Sequence, residues 1–298
     1  MKFISVVLSL FVLILVSSNV FGQRRSIIGD LRVQKLESKV FGNTRMLRVL
    51  VPPGYNRDKS KHYKVLYLND GQNLFEITSS QSAFTEWAVD ETLDDLYDRR
   101  EIEPIIVVGI DNSGEGDRTN EYLPWADEVL SPPIDAPVGK KYPAFLLQEV
   151  IPFIEGNYRV KTGAQNRGIG GASYGALISL YTVLQDPGKF GEVLLESPSL
   201  YVSENSILKL TRETKKFPSK IYIGVGTNED GKEQCVSGDR TQKAVQDVLN
   251  LREILREKKV PDANVKLVIE DCATHTEVAF GRRFVEAMRF FYSTNKSK

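Results

Sequence analysis

Gly171-Ala172-Ser173-Tyr174-Gly175 fits G-x-S-x-G, the pattern in which a tight turn between a strand and a helix holds out a serine hydroxyl. Such a turn needs small neighbours, because a serine in a sparsely populated backbone conformation leaves no room for bulk where strand and helix approach. A serine nucleophile also needs a base to take its proton and an acid to orient that base. The chain has 2 histidines. His62 stands in the basic stretch Lys59-Ser60-Lys61-His62-Tyr63 and reads as a solvated surface residue. His275 follows the last apolar strand, as the chain order serine, acid, histidine requires. Between serine and histidine, Glu229 and Asp230 lie side by side after an apolar strand, and either can serve as the acid.

The cysteines flank the same positions. Cys235 follows the acid loop and Cys272 precedes His275, so a Cys235–Cys272 disulfide would tie the two loops together; two separate buried thiols are the alternative. An acyl-transfer site also needs donors aimed at the developing oxyanion. The expected pair is the backbone N–H of Tyr174, next to the serine, and that of Gln72 in Asn69-Asp70-Gly71-Gln72, where Gly71 lets the backbone come close. Asp70, Asp111 and Glu121 have no compact metal-ligand spacing and no second histidine beside them, so neither a metal nor another cofactor is expected.

The elements that must position these residues can be read from apolar periodicity. Two alternating runs around Gly42-Asn43, over 31–51, predict an antiparallel hairpin. Apolar stretches at 63–68, 105–110, 192–196, 220–226 and 265–269 predict strands, and helical spacing predicts helices over 83–100, 145–158, 239–259 and 277–292. The 145–158 helix should be kinked by Pro152, and a small helical insert is expected at 204–210. Strands alternating with helices imply a mainly parallel sheet with helices on both faces, and candidate residues then collect at the strands' carboxyl ends. The irregular stretch 111–143 is long enough to be read as a substrate-facing wall. Within it Arg118, Tyr122 and Trp125 are candidates for the acyl or sugar side of a pocket.

Charge is balanced at 39 basic and 39 acidic residues, which argues against a nucleic-acid binder. Residues 1–22 have a charged start, an apolar run from Phe3 to Val16 and a small-residue exit. They read as a signal peptide cleaved before Gln23, leaving 23–298 as one exported domain, periplasmic or secreted, without a stable membrane anchor. A single anchor is the competing reading, but the run is short for a spanning helix.

The pieces Tyr67-Leu68-Asn69-Asp70-Gly71-Gln72-Asn73-Leu74-Phe75, Ile110-Asp111 with Arg118-Thr119-Asn120-Glu121-Tyr122-Leu123-Pro124, the serine turn, Gly226-Thr227-Asn228-Glu229 and His275 together resemble the esterase D-like, or Putative esterase, branch of the α/β-hydrolases. That branch includes carbohydrate esterases of family one and siderophore esterases. The resemblance runs from about Leu47 to Tyr292 and implies an α/β-hydrolase fold with Ser173 as nucleophile, His275 as base and Glu229 as acid, Asp230 remaining the runner-up. It further implies that Arg118 positions substrate or loop, with Glu121 as its partner. The function implied is a serine carboxylic-ester hydrolase acting on acyl or feruloyl esters of carbohydrate. Siderophore or other small esters come second. A transferase and a non-catalytic binding protein on the same fold are further alternatives.

Overall fold

The computed structural model describes residues 27–82, 85–114 and 117–294. The segment read as an export signal lies outside the described residues, and so does Phe84 of the expected 83–100 helix. Among the described residues eight strands form one sheet: β1 (Asp30–Ser38), β2 (Asn43–Val51), β3 (Lys64–Asn69), β4 (Ile105–Ile110), β5 (Arg167–Ala172), β6 (Glu192–Glu196), β7 (Lys220–Gly226) and β8 (Val265–Glu270), in the spatial order β1-β2-β4-β3-β5-β6-β7-β8. β1 pairs antiparallel with β2, and β2 antiparallel with β4; every later pairing is parallel. This is the α/β-hydrolase architecture, with the expected hairpin at its edge.

Strand periodicity sends alternate side chains to opposite faces. Val65, Tyr67, Ile106, Val108, Ile169, Val193 and Ile223 enter one apolar layer, and Leu66, Leu68, Val107, Leu194 and Tyr222 the other. The helices are α1 (Val89–Asp98), α2 (Arg118–Tyr122), α3 (Tyr142–Phe145), α4 (Ile151–Asn157), α5 (Tyr174–Gln185), α6 (Val202–Glu213), α7 (Lys243–Glu257) and α8 (Glu277–Tyr292). α1 and α8 contribute Leu93, Leu96, Phe284 and Met288 to the second layer, whereas α5, α6 and α7 supply Ile178, Leu208 and Val248 to the first.

Four expected helices differ in extent, among them the insert expected at 204–210, which is the longer α6. The one expected over 83–100 begins only at Val89, because Trp87 N donates to Asn73 O and Val89 N to Leu74 O, tying the preceding chain to the loop after β3. The one expected over 145–158 starts earlier, as α3, and passes through a π turn at Leu146–Val150 into α4. The wider turn precedes Pro152, whose ring and missing N–H a regular ladder would not accept. α7 starts at Lys243 rather than Asp239, whose carboxylate accepts the N–H of Thr241 and closes a local turn instead.

Arg45 on β2 and Glu121 on α2 form an ion pair buried to 1% exposure on both sides, Nη1 lying 2.9 Å from Oε1. A pair this deep does little for net stability, but either partner alone is a buried uncompensated charge. Glu121→Ala should therefore lower the unfolding free energy by about 3–5 kcal/mol in urea denaturation, while Glu213→Ala on the exposed side of α6 should leave it nearly unchanged.

Candidate active site

β5 ends at Ala172 and α5 begins at Tyr174, so Ser173 alone makes the turn, at φ 59° and ψ −124°. Serine is strained at such a backbone angle and stays there only because its surroundings dictate it. A Cβ on Gly171 would come within 2.9 Å of the Gly175 carbonyl carbon, and one on Gly175 within 2.9 Å of Asp70 Oδ2. Asn69, at the end of β3, donates Nδ2 to Gly175 O and Ser179 Oγ, both at 2.9 Å, and accepts from the Tyr142 hydroxyl. Ser173 N donates to Glu196 O at 2.9 Å, which fixes the turn to β6. The Ser173 hydroxyl lies 3.2 Å from that of Ser199.

Glu229 follows β7 and His275 follows β8, and these strands are neighbours. Glu229 Oε2 lies 2.5 Å from His275 Nδ1. Its Oε1 accepts from Ser197 Oγ at 2.7 Å and from Gly226 N at 2.6 Å. Burial would raise this carboxyl, but His275, Ser197 and the Gly226 amide together hold it below the ordinary carboxylate range. Asp230 points away; its side chain is 65% exposed and lies 3.8 Å from Lys232 Nζ. With Nδ1 engaged by the carboxylate, Nε2 remains to accept a proton. The imidazole packs edge-on against Phe280. His62 is exposed, its Nδ1 facing Ser60 O.

The two loops are joined twice over. Cys235 and Cys272 form a disulfide with Cα atoms 5.6 Å apart. Beside it, Cys272 N donates to Thr227 Oγ1 at 2.8 Å and Asn228 N to Ala273 O at 3.0 Å. A Cβ on Gly226 would stand 2.0 Å from Ala273 O, so only glycine permits this approach.

Ser173 and His275 stand between two cavities of about 430 Å³ each. One is lined by Asp70, Asn73, Asn112, Arg118, Trp87 and Glu277. The other is lined by Ser197, Ser199, Tyr201, Asp230 and Lys243. The irregular stretch supplies Asn112, Gly114, Arg118 and Thr119 to the first wall. Arg118 is on that wall with a different partner from the one expected. Its Nε and Nη2 donate to the two oxygens of Asp70, each at 2.7 Å, and its guanidinium stands over the rings of Tyr122 and Tyr174. Glu121 faces the opposite way, into its buried pair with Arg45. Tyr122 is fully buried and packs edge-on against Tyr142 rather than lining the cavity. Trp125 borders a separate depression with Tyr181, Lys209 and Glu213, because its ring is held edge-on to Tyr181 of α5. Arg118 and Tyr122, four apart on one face of α2, stay in contact, but Tyr122 lies buried beneath the guanidinium, and Trp125 lies beyond the helix, where the chain has left the site.

Tyr174 opens α5 and Gln72 sits in a short 3-10 turn after Asp70, so both amides lie where helical geometry offers no intrahelical carbonyl. The Gln72 side chain is buried, donating to Gln81 and accepting from Asn112 N. Ser197, Ser199 and Asn69 escaped the sequence reading. Their shared signal was position, since each lies at or just beyond the carboxyl end of a parallel strand.

Cys235→Ser combined with Cys272→Ser should lower the unfolding free energy by about 4 kcal/mol for a closed loop of this length, and hydrogen exchange should rise in both loops. The Glu229 carboxylate has a folded pKa below its unfolded one, so it contributes stability above about pH 4.3 that is lost as pH falls through the folded value. Glu229→Gln should therefore lose less stability than the wild type between pH 7 and pH 3, measured by urea denaturation at each pH.

The profile of the Putative esterase family matches residues 38–291. The protein YbbA of Bacillus subtilis (strain 168) is 27% identical over 258 residues, covering 86% of this chain and 95% of that one. Among solved structures, a ferulic acid esterase superposes with a TM-score of 0.66 at 20% identity, over 90% of this chain and 99% of the other. The enterobactin esterase of Shigella flexneri, solved in the presence of enterobactin, gives a TM-score of 0.69 at 17% identity, over 91% of this chain and 61% of that one. At these identities the two structures speak to the fold, and the family assignment stands on the profile match: this chain, with its α/β-hydrolase fold, belongs to the Putative esterase family.

Proposed function

We propose that the protein is an exported serine carboxylic-ester hydrolase that works through an acyl-enzyme, with Ser173 as nucleophile, His275 as base and Glu229 as the acid that orients it. The observation that carries this reading is the contact between Glu229 Oε2 and His275 Nδ1 beside the strained Ser173 turn. It leaves Nε2 unengaged by the carboxylate, and Ser173 and His275 line the same two cavities. In the first step Ser173 Oγ leaves Ser199, gives its proton to Nε2 and bonds to the ester carbonyl carbon. Charge collects on the carbonyl oxygen, where the amides of Tyr174 and Gln72 are assigned as donors. The imidazolium, stabilised by Glu229, then protonates the departing alkoxide as the C–O bond breaks. Water repeats the sequence on the acyl-enzyme, releasing the acid and returning the proton to Ser173.

The charge of the polar cavity supports a ranking of substrate classes. Arg118 is committed to Asp70 through both arms of its fork, and Glu277 adds a second carboxylate to the wall. Such a wall offers hydrogen bonds without surplus positive charge, which suits a neutral polyhydroxylated group better than a polyanionic ferric catecholate. Acyl or feruloyl esters of carbohydrate therefore rank first, in keeping with the ferulic acid esterase among the structural relatives. Siderophore esters rank second. The disulfide supports export, because such bonds persist in oxidising compartments.

The wild-type protein should turn over p-nitrophenyl acetate and be labelled by a fluorophosphonate. Ser173→Ala should lose labelling and at least about a thousandfold in kcat. Absence of both turnover and labelling in the folded wild type would sink the reading and leave a binding protein on a hydrolase fold. Feruloyl, acetyl-xylan and catecholate esters compared side by side decide the substrate, and competing alcohol acceptors separate hydrolysis from transfer.

A further inference from the structure

Beneath the Glu229–His275 pair lies a buried cation that the scheme above leaves unused. Arg283, on α8, is 3% exposed and its guanidinium reaches three ways. Nε donates to Glu196 Oε2 at 2.8 Å, Nη1 to Glu270 Oε2 at 2.9 Å and Nη2 to Ser197 Oγ at 3.1 Å. Ser197 Oγ in turn lies 2.7 Å from Glu229 Oε1. We infer that Arg283 and Ser197 are positioning residues for the ester-hydrolysis machinery: Arg283 orients the Ser197 hydroxyl, which orients the Glu229 carboxylate toward His275. The inference rests on the esterase reading given above.

Three observations support it. An arginine facing one buried carboxylate ordinarily makes two parallel hydrogen bonds. Here Glu196 receives only one, and its Oε1 has no hydrogen-bond partner among the described residues although it is buried. The second arm of the fork has gone to Ser197 instead. Because the guanidinium can only donate, Ser197 Oγ must accept from it, and the single hydroxyl hydrogen is left for Glu229. The direction of the chain is thereby forced: Arg283 to Ser197, Ser197 to Glu229. With the Gly226 amide also donating, Glu229 Oε1 has two donors and Oε2 is free to hold His275 Nδ1. Finally, Ser197 has φ 39°, in the region that favours glycine. What serine adds at such a position is its hydroxyl.

The charges facing this centre come from every neighbouring element: Glu196 closing β6, Glu229 after β7, Glu270 closing β8, Arg282 on α8 bound to Glu270, and His275 before that helix. Burial pushes the Glu196 carboxyl up to about 7 even beside Arg283. Each donor to Glu229 then matters for keeping that carboxylate ionised and aimed.

Ser197→Gly separates position from architecture, since glycine suits the backbone angle and removes only the hydroxyl. Its melting temperature should stay within a few degrees of the wild type, relief of the backbone angle partly offsetting the two lost hydrogen bonds, while kcat for a p-nitrophenyl ester falls about tenfold, the worth of one hydrogen bond to a charged group. KM should stay within about twofold, because substrate binding does not use this chain. A less well satisfied Glu229 pulls harder on the Nδ1 proton and favours the imidazolium, so the acid limb of kcat/KM should move to higher pH. The proton between His275 and Glu229, observed by NMR without substrate, should exchange faster. Arg283→Lys keeps the charge but loses the fork, and should give the same kinetic change at a lower melting temperature. Unchanged kcat, acid limb and proton exchange in Ser197→Gly would overturn the inference; so would a fall in kcat that tracks lost melting temperature with the limb unmoved. If the wild type shows no turnover, the esterase reading fails instead, and the NMR comparison still decides whether Ser197 holds the pair.

Discussion

A serine at φ 59° and ψ −124° has to be held there, and the middle of this protein is arranged to do so. β5 and α5 meet at Ser173 with almost no separation, which excludes side chains at Gly171 and Gly175. The helix end is clamped by Asn69 from one neighbouring strand, and the serine amide is bonded to Glu196 of the other. Because both neighbours are parallel to β5, their own carboxyl ends open at the same level. The strained turn and the loops that serve it therefore share one edge of the sheet, and the geometry of each depends on the others.

The acid and the histidine reach that edge from the far side of the sheet. β7 and β8 end together, and a disulfide, two backbone-level hydrogen bonds and a glycine contact fasten their loops. Loops ordinarily gain mobility with exposure. Here the short contact between Glu229 and His275 is kept by fastening the loops on both sides of it. Beneath them the Arg283 guanidinium gathers the carboxylates of Glu196 and Glu270 and the hydroxyl of Ser197, so the site rests on a buried polar layer rather than on apolar packing alone.

Much of the sheet was readable in advance because period-two alternation and continuous apolar runs reflect burial on one or both faces, a local property of the chain. The helices were less readable at their ends. Nothing local to residues 85–88 says that backbone bonds from Trp87 and Val89 to the loop after β3 will replace helical ones. The Arg118 partner failed for the same reason. Glu121, three residues along, is the natural choice from sequence, but Arg118 finds Asp70 across the sheet edge and Glu121 finds Arg45 on another strand. Trp125 left the pocket because its ring packs on α5 instead of turning inward.

By itself, the sequence determined the residue types and their order: a serine in a turn built of small residues, one histidine past the final strand, two adjacent acids between them and two cysteines flanking both loops. These are carried by composition and short-range spacing, which need no tertiary knowledge. The tertiary structure decided which acid meets the histidine, with Glu229 turned inward by Ser197 and Gly226 while Asp230 faces solvent. It also decided what stands behind that acid and which charges cancel in the cavity. Those outcomes depend on distances between residues far apart in the chain, and they exist only once neighbouring strands have brought their carboxyl ends to one edge.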